Sequence, residues 1–216
     1  MSVQFTSAIL QSLLDKSPGP IAREKMLPPG RTIAYTVPYD VRQAGVLVTL
    51  IPDGDDLNTL VMQRTVHPDD PHSGQISFPG GSREPQDQDL IATAVREAYE
   101  ETGIRSEDIQ VLGTLAPLYI PVSKFEITPV MAFVNQLPTI TLSQDESEAA
   151  FLISLKQLRE QDSLDVMEWR GRNGDALREI PYYNIIPGIP IWGATAMILA
   201  EVTKWLEIIS GSTEMK

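Results

Sequence analysis

Three glutamates, Glu97, Glu100 and Glu101, follow directly on Arg96, and their types and spacing are those of a cation site. Positions three and four apart are neighbours on a helix, where like charges repel by roughly 0.2–0.5 kcal/mol per pair. Carboxylate oxygens are hard donors suited to Mg2+ or Mn2+, ions commonly held by one or two carboxylates together with substrate phosphates. A cation there would neutralise a diphosphate, orient it for in-line attack and lower the pKa of a bound water. The competing reading is a solvated helix face, which is what most acidic runs are. The glycine-rich stretch ahead of the run, Phe78-Pro79-Gly80-Gly81, favours a site, because glycines permit close backbone approach and a carbonyl there could join the carboxylates.

The element that must carry these residues is a helix. Leu90, Ala94 and Ala98 recur every four residues with Ile91, Val95 and Thr102 beside them, giving an apolar face distinct from the acidic one. Asp87 or Asp89 can cap its start, and Gly103 suits the left-handed position after its end. Residues 44–51 and 59–64 read as paired strands around the turn formers of 52–56. Further strands are expected at 110–118, 125–134 and 150–155, and a closing helix at 192–209 from the spacing of Ala194, Ile198, Val202, Trp205 and Ile209. Phe5, Ile9, Leu10, Leu13 and Leu14 predict an amphipathic N-terminal helix, followed by an arm punctuated by Pro18, Gly19, Pro20, Pro28, Pro29 and Gly30. This divides the chain into an arm, 1–36, and a main domain, 37–216. Strands mixed with helices without regular βαβ alternation indicate an α/β fold with a mixed sheet.

Residues 96–104 resemble the Nudix hydrolase signature at every specified place: Arg-Glu, an apolar residue, any residue, Glu-Glu, any residue, Gly, and an apolar residue. Upstream, Gln88 and Ser82 stand where that signature has glutamate and glycine, with Asp87 and Gly81 one residue earlier. That longer spacing, the run from His72 to Gly81 and the preceding Leu60 to Thr65 are similar to the coenzyme A pyrophosphatase subgroup. So are Ile191-Trp192-Gly193-Ala194-Thr195-Ala196, Gly113-Thr114-Leu115, Ser123 and Pro129. The segment Pro68-Asp69-Asp70-Pro71 departs from the subgroup, which has a Leu-Arg pair shortly before the histidine.

The resemblance implies a Nudix-type α/β/α sandwich and hydrolysis of a phosphoanhydride by activated water, with no covalent intermediate. The implied metal ligands are Glu97, Glu100, Glu101 and the Gly81 carbonyl, oriented by Arg96. The expected substrate is coenzyme A or a thioester of it, split to 3′,5′-ADP and a 4′-phosphopantetheine product. The alternatives are another nucleoside diphosphate derivative, such as ADP-ribose or NADH, and a ligand-binding module without catalysis. Glu146 matches the family's distal acid best among Asp145, Glu146 and Glu148, and is the candidate base, with an exposed loop acid as the competing reading. Arg64, His72 and Gln75 are the candidate substrate contacts, the arginine for its fork of donors. Trp192 is expected to pack.

Composition bounds the rest. With 216 residues the chain suits one domain with a proper core. It has no cysteine, which excludes disulfides, thiolate nucleophiles and zinc-thiolate sites. A net charge of −12, from 29 acidic and 17 basic residues, argues against a nucleic-acid surface. No apolar run reaches the roughly 18 residues of a membrane span, and the start lacks a signal-like pattern, so a cytoplasmic location without membrane contact is expected. The arm and the apolar last helix are candidate contacts for a homodimer.

Overall fold

The computed structural model describes residues 5–33, 37–66, 73–143, 145–160, 163–170 and 177–213. After a short helix α1 (Ser7–Ser12) come β1 (Arg42–Asp53), β2 (Asp56–Arg64), β3 (Ile76–Ser77) and β4 (Gly80–Ser82). Helix α2 (Leu90–Thr102) follows, then β5 (Gln110–Thr114), β6 (Leu118–Ile120), β7 (Phe125–Phe133) and β8 (Ser147–Ser154). The chain ends with β9 (Leu164–Trp169), β10 (Arg178–Ile186), β11 (Ile189–Ile191) and helix α3 (Gly193–Thr213).

The long strand β1 organises the sheet. Its first part pairs in parallel with β7 and antiparallel with β4, and its last residues turn into β2 through Gly54 at φ +62°. β2 continues to β3 and β8, while β5 and β6 both lie on β7. The sheet is therefore mixed, as expected from the sequence. Because successive strand residues face opposite sides, Leu47, Val130 and Ala132 meet α2 through Ala94 and Ala98, whereas Val48, Leu50, Met131 and Phe133 join the core that contains α3. Helices cover both faces, which is the α/β/α sandwich. Full burial of each Leu, Val, Met or Phe among them contributes about 1.5–3 kcal/mol. Gly45 lets α2 ride directly on β1: a Cβ there would strike the Leu90 carbonyl and lie 3.1 Å from the Ala94 nitrogen.

Several elements differ from the sequence reading. Residues 80–82 form strand β4 instead of loop, because β1 offers a free partner edge. The N-terminal helix is only six residues long, with Thr6 as its cap, and then tightens into 3-10 turns at Leu14–Lys16 and Gly19–Met26 around the prolines. Leu10 and Met26 of this arm belong to the main core. Arg23 and Glu201, both fully buried, pair at 2.5 Å, and Arg23 also donates to the carbonyls of Ala116 and Pro117. Trp205 Nε1 donates to the Leu13 carbonyl at 2.8 Å. The small sheet β9–β11 was not foreseen; there Trp169 lies 5.4 Å from Trp192, the packing role expected of the latter. Among the described residues no helix is long and apolar enough to cross a membrane.

Candidate active site

Helix α2 begins where the Asp89 side chain accepts from Ala92 N at 2.8 Å, and ends at Gly103 with φ +74°. Asp87 has a different task. It is buried, accepts from Glu84 N and Thr93 Oγ1, and binds Arg96 through both carboxylate oxygens at 3.0 Å. These bonds hold its carboxyl well below the ordinary range, the Arg96 guanidinium contributing most. The same guanidinium reaches Glu97 at 3.0 Å, Glu100 at 2.9 Å and the Ser82 carbonyl at 3.2 Å. Arg96 thus ties the loop before α2 to two of the three glutamates.

The glutamates differ in environment. Glu100 is exposed on its outer side. Glu97 is partly buried, and burial pushes its carboxyl up against the opposing pull of Arg96, with Glu100 and Glu146 adding to the rise. Glu101 is only 4% exposed and accepts from Gly80 N at 2.8 Å. Burial pushes it up to about 8, with Glu146 and Glu97 raising it further and the Gly80 amide and Arg64 acting against the rise. Strand β4 lies against this face so closely that a Cβ on Gly81 would sit 2.6 Å from the Glu97 carboxylate.

The ladder between β1 and β4 decides where the glycine carbonyls point. Arg83 N donates to Gln43 O and Leu47 N to Pro79 O. Hydrogen-bonded pairs alternate in an antiparallel ladder, so Gly81 and Gly45, midway between them, exchange bonds with each other. The alternation turns the carbonyls of Gly80 and Ser82 outward, and Ser82's accepts from Arg96. Gly80 thus turns its carbonyl away from β1, whereas the sequence reading had named that of Gly81. Its signal was the doublet itself, since strand pairing must engage one glycine of two and free the other.

The remaining candidates gather around the same cluster. Arg64, half-buried at the end of β2, is close enough to favour the ionised form of Glu101, and its backbone N donates to Gln75 O at 3.0 Å. His72 lies outside the described residues. Of Asp145, Glu146 and Glu148, at the start of β8, Glu146 is the one whose charge acts on both Glu97 and Glu101. Asp145 uses its carbonyl to accept from Thr65, and the Glu148 carboxylate accepts from Val66 N. The turn is tethered to α2, because Thr141 N and Ser143 N donate to the carbonyls of Thr102 and Glu101.

Among the described residues no three acidic or histidine side chains converge closely enough to enclose a metal ion. The donors fit a hard divalent cation all the same. They are oxygen only, and two carboxylates, one buried and one partly buried, raised by desolvation and mutual repulsion are what such a charge would relieve.

The NUDIX domain family matches residues 41–170. The chain is 32% identical over 170 residues to an uncharacterized Nudix hydrolase, NudL, of Yersinia pestis strain Pestoides F, covering 77% of this chain and 81% of that protein. A NudL of Yersinia enterocolitica is 36% identical over 137 residues, covering 63% and 68%. Among solved structures, a MutT/nudix family protein from Enterococcus faecalis superposes with a TM-score of 0.51 at 17% identity, over 94% of this chain and 76% of that one. The last likeness concerns the fold alone, which is the same mixed α/β arrangement. With the signature helix, its arginine anchor and the domain match in agreement, the chain belongs to the Nudix family and is a Nudix hydrolase.

Proposed function

We propose that this hydrolase cleaves the diphosphate of coenzyme A or its thioesters, releasing 3′,5′-ADP and a 4′-phosphopantetheine product. The observation that carries the reading is the way residues 73–81 wall the site. Gln75 at one end holds the backbone of Arg64, and Gly80 at the other holds Glu101. The stretch that resembles coenzyme A pyrophosphatases is thus the stretch that touches the acidic cluster.

In this reading Glu97, Glu100 and Glu101 hold Mg2+ or Mn2+ with a carbonyl from Gly80 or Gly81, the outward direction favouring Gly80. The ion, when bound, neutralises diphosphate oxygens and lowers the pKa of a water. The protein's own residues do the rest. Arg96, anchored on Asp87, fixes the rotamers of Glu97 and Glu100. The Gly80 amide pins Glu101 Oε2 and leaves Oε1 to act. Arg64, Gln75 and His72 contact the diphosphate, and the Glu146 carboxylate takes the proton of the attacking water.

The test is product chromatography after incubating the purified chain, and its Glu101→Gln variant, with Mg2+ or Mn2+ and coenzyme A, acetyl-coenzyme A, ADP-ribose or NADH. Selective release of 3′,5′-ADP, lost in the variant by orders of magnitude, is the expected result. Turnover of ADP-ribose or NADH instead would replace the substrate assignment, and binding without turnover would point to a ligand-binding module.

A further inference from the structure

A cleft of about 600 Å³ opens where the start of β1 meets the end of β4, lined among others by Tyr39, Arg42, Ser82, Arg83 and Glu84. Its volume lies within the roughly 300–1,000 Å³ of small-molecule sites. It adjoins the acidic cluster through Ser82, which lines it while giving its carbonyl to Arg96; the preceding Gly81 packs on the Glu97 carboxylate.

The two arginines are held in place without being neutralised. Arg42 lies over the Phe125 ring, 4.0 Å from its centroid, and donates to the Ser123 carbonyl at 2.9 Å. Arg83 donates to the carbonyls of Asp87 and Gln88 at 3.2 and 3.0 Å. Neither makes an ion pair with a carboxylate among the described residues, although the chain carries twelve more acidic than basic side chains. Carbonyl bonds orient a guanidinium and leave its full charge and its remaining donors available. Among the described residues lining the cleft the one carboxylate, Glu84, accepts from the Gln86 side-chain amide. At the rim the Tyr39 ring is fully exposed, a free face for a planar group.

Two oriented guanidinium forks beside an open aromatic ring suit a planar base bearing a phosphomonoester, whose several acceptor oxygens match paired arginines. We infer that the Arg42–Arg83 cleft is a second phosphate subsite, taking a phosphomonoester on the nucleoside half of the substrate while the diphosphate lies on α2. This rests on the coenzyme A reading for the order of the two phosphate groups along the ligand. It assigns substrate selection to the β1–β4 edge, outside the signature helix.

The experiment is calorimetric titration of 3′,5′-ADP and of AMP into the full chain with Mg2+, for wild type, Arg42→Gln, Arg83→Gln and the double variant. Alongside it, the ratio of kcat/KM for coenzyme A to that for dephospho-coenzyme A is measured. Wild type should prefer 3′,5′-ADP by about tenfold or more. The double variant should erase that preference while still binding AMP, which also shows that it is folded. The turnover ratio should fall in parallel, and Arg105→Gln, in a distant exposed ion-pair cluster, should keep the wild-type ratio. A wild-type protein without the preference, or a double variant that retains it, overturns the subsite. An arginine-dependent preference in a chain that cleaves no coenzyme A would uphold the subsite and remove the substrate reading. Cleavage of coenzyme A with an unchanged ratio in the double variant would do the reverse.

Discussion

Replacing Glu101 by glutamine should make the metal-free fold more stable while destroying catalysis, and the gain should depend on pH. The carboxyl is pushed up to about 8 in the folded protein from an ordinary 4.5, chiefly by burial. Between those values the folded protein keeps a proton that the unfolded chain gives up. This group's relative stabilisation is therefore complete below 4.5 and is lost as pH rises through about 8. At about 1.4 kcal/mol per pH unit, wild type at pH 7.5 has forfeited roughly 3–4 kcal/mol relative to a neutral isostere, but less than about 1 kcal/mol at pH 5. Glutamine keeps an oxygen for the Gly80 amide and removes the repulsion from Glu97 and Glu146. Urea denaturation of EDTA-treated wild type and Glu101→Gln at pH 5 and 7.5 measures both gaps. The variant should be clearly more stable at pH 7.5 and nearly matched at pH 5. Equal stabilities at pH 7.5, or a gap that does not shrink on acidification, would refute the idea that a buried, repelled carboxylate is held here for function.

Two other substitutions probe the scaffold. Glu201→Gln leaves Arg23 as a fully buried charge without its partner and should cost about 3–5 kcal/mol, whereas the double change Arg23→Met with Glu201→Leu should cost much less; urea midpoints compare them. Gly81→Ala would drive a methyl group onto the Glu97 carboxylate and should lower kcat/KM by about 100-fold with a smaller loss in melting temperature, read by steady-state kinetics and calorimetry.

The helical period of residues 90–102 was sufficient to place Arg96 beside Glu100, because contacts four residues apart are set by the helix itself. The apolar stripe of Ala94 and Ala98 likewise identified the face that packs on the sheet. The turn formers of 52–56 between two apolar runs identified the first hairpin for a similarly local reason. The Trp169 and Trp192 pair, and the three strands around it, escaped notice because β9 is mostly exposed and β11 has only three residues, which leaves β10 without a visible partner in the sequence.

Local chemistry also left choices that only long-range contact could make. Asp87 and Asp89 are equally good caps on paper, yet Arg96 claims the first and leaves the second to the helix. Gly80 and Gly81 are interchangeable until β1 pairs with β4 and turns one carbonyl inward. Glu146 is set apart from Asp145 and Glu148 by the reach of its charge to both Glu97 and Glu101 across the fold. The three glutamates, identical in type and clustered by spacing, become unequal only when tertiary packing buries Glu101 against Gly80 and leaves Glu100 at the surface. Residue type and helical spacing thus determined which groups gather in this protein and the class of reaction they suit. Burial decided their protonation, partners and directions, because desolvation and pairing depend on atoms brought close from distant parts of the chain.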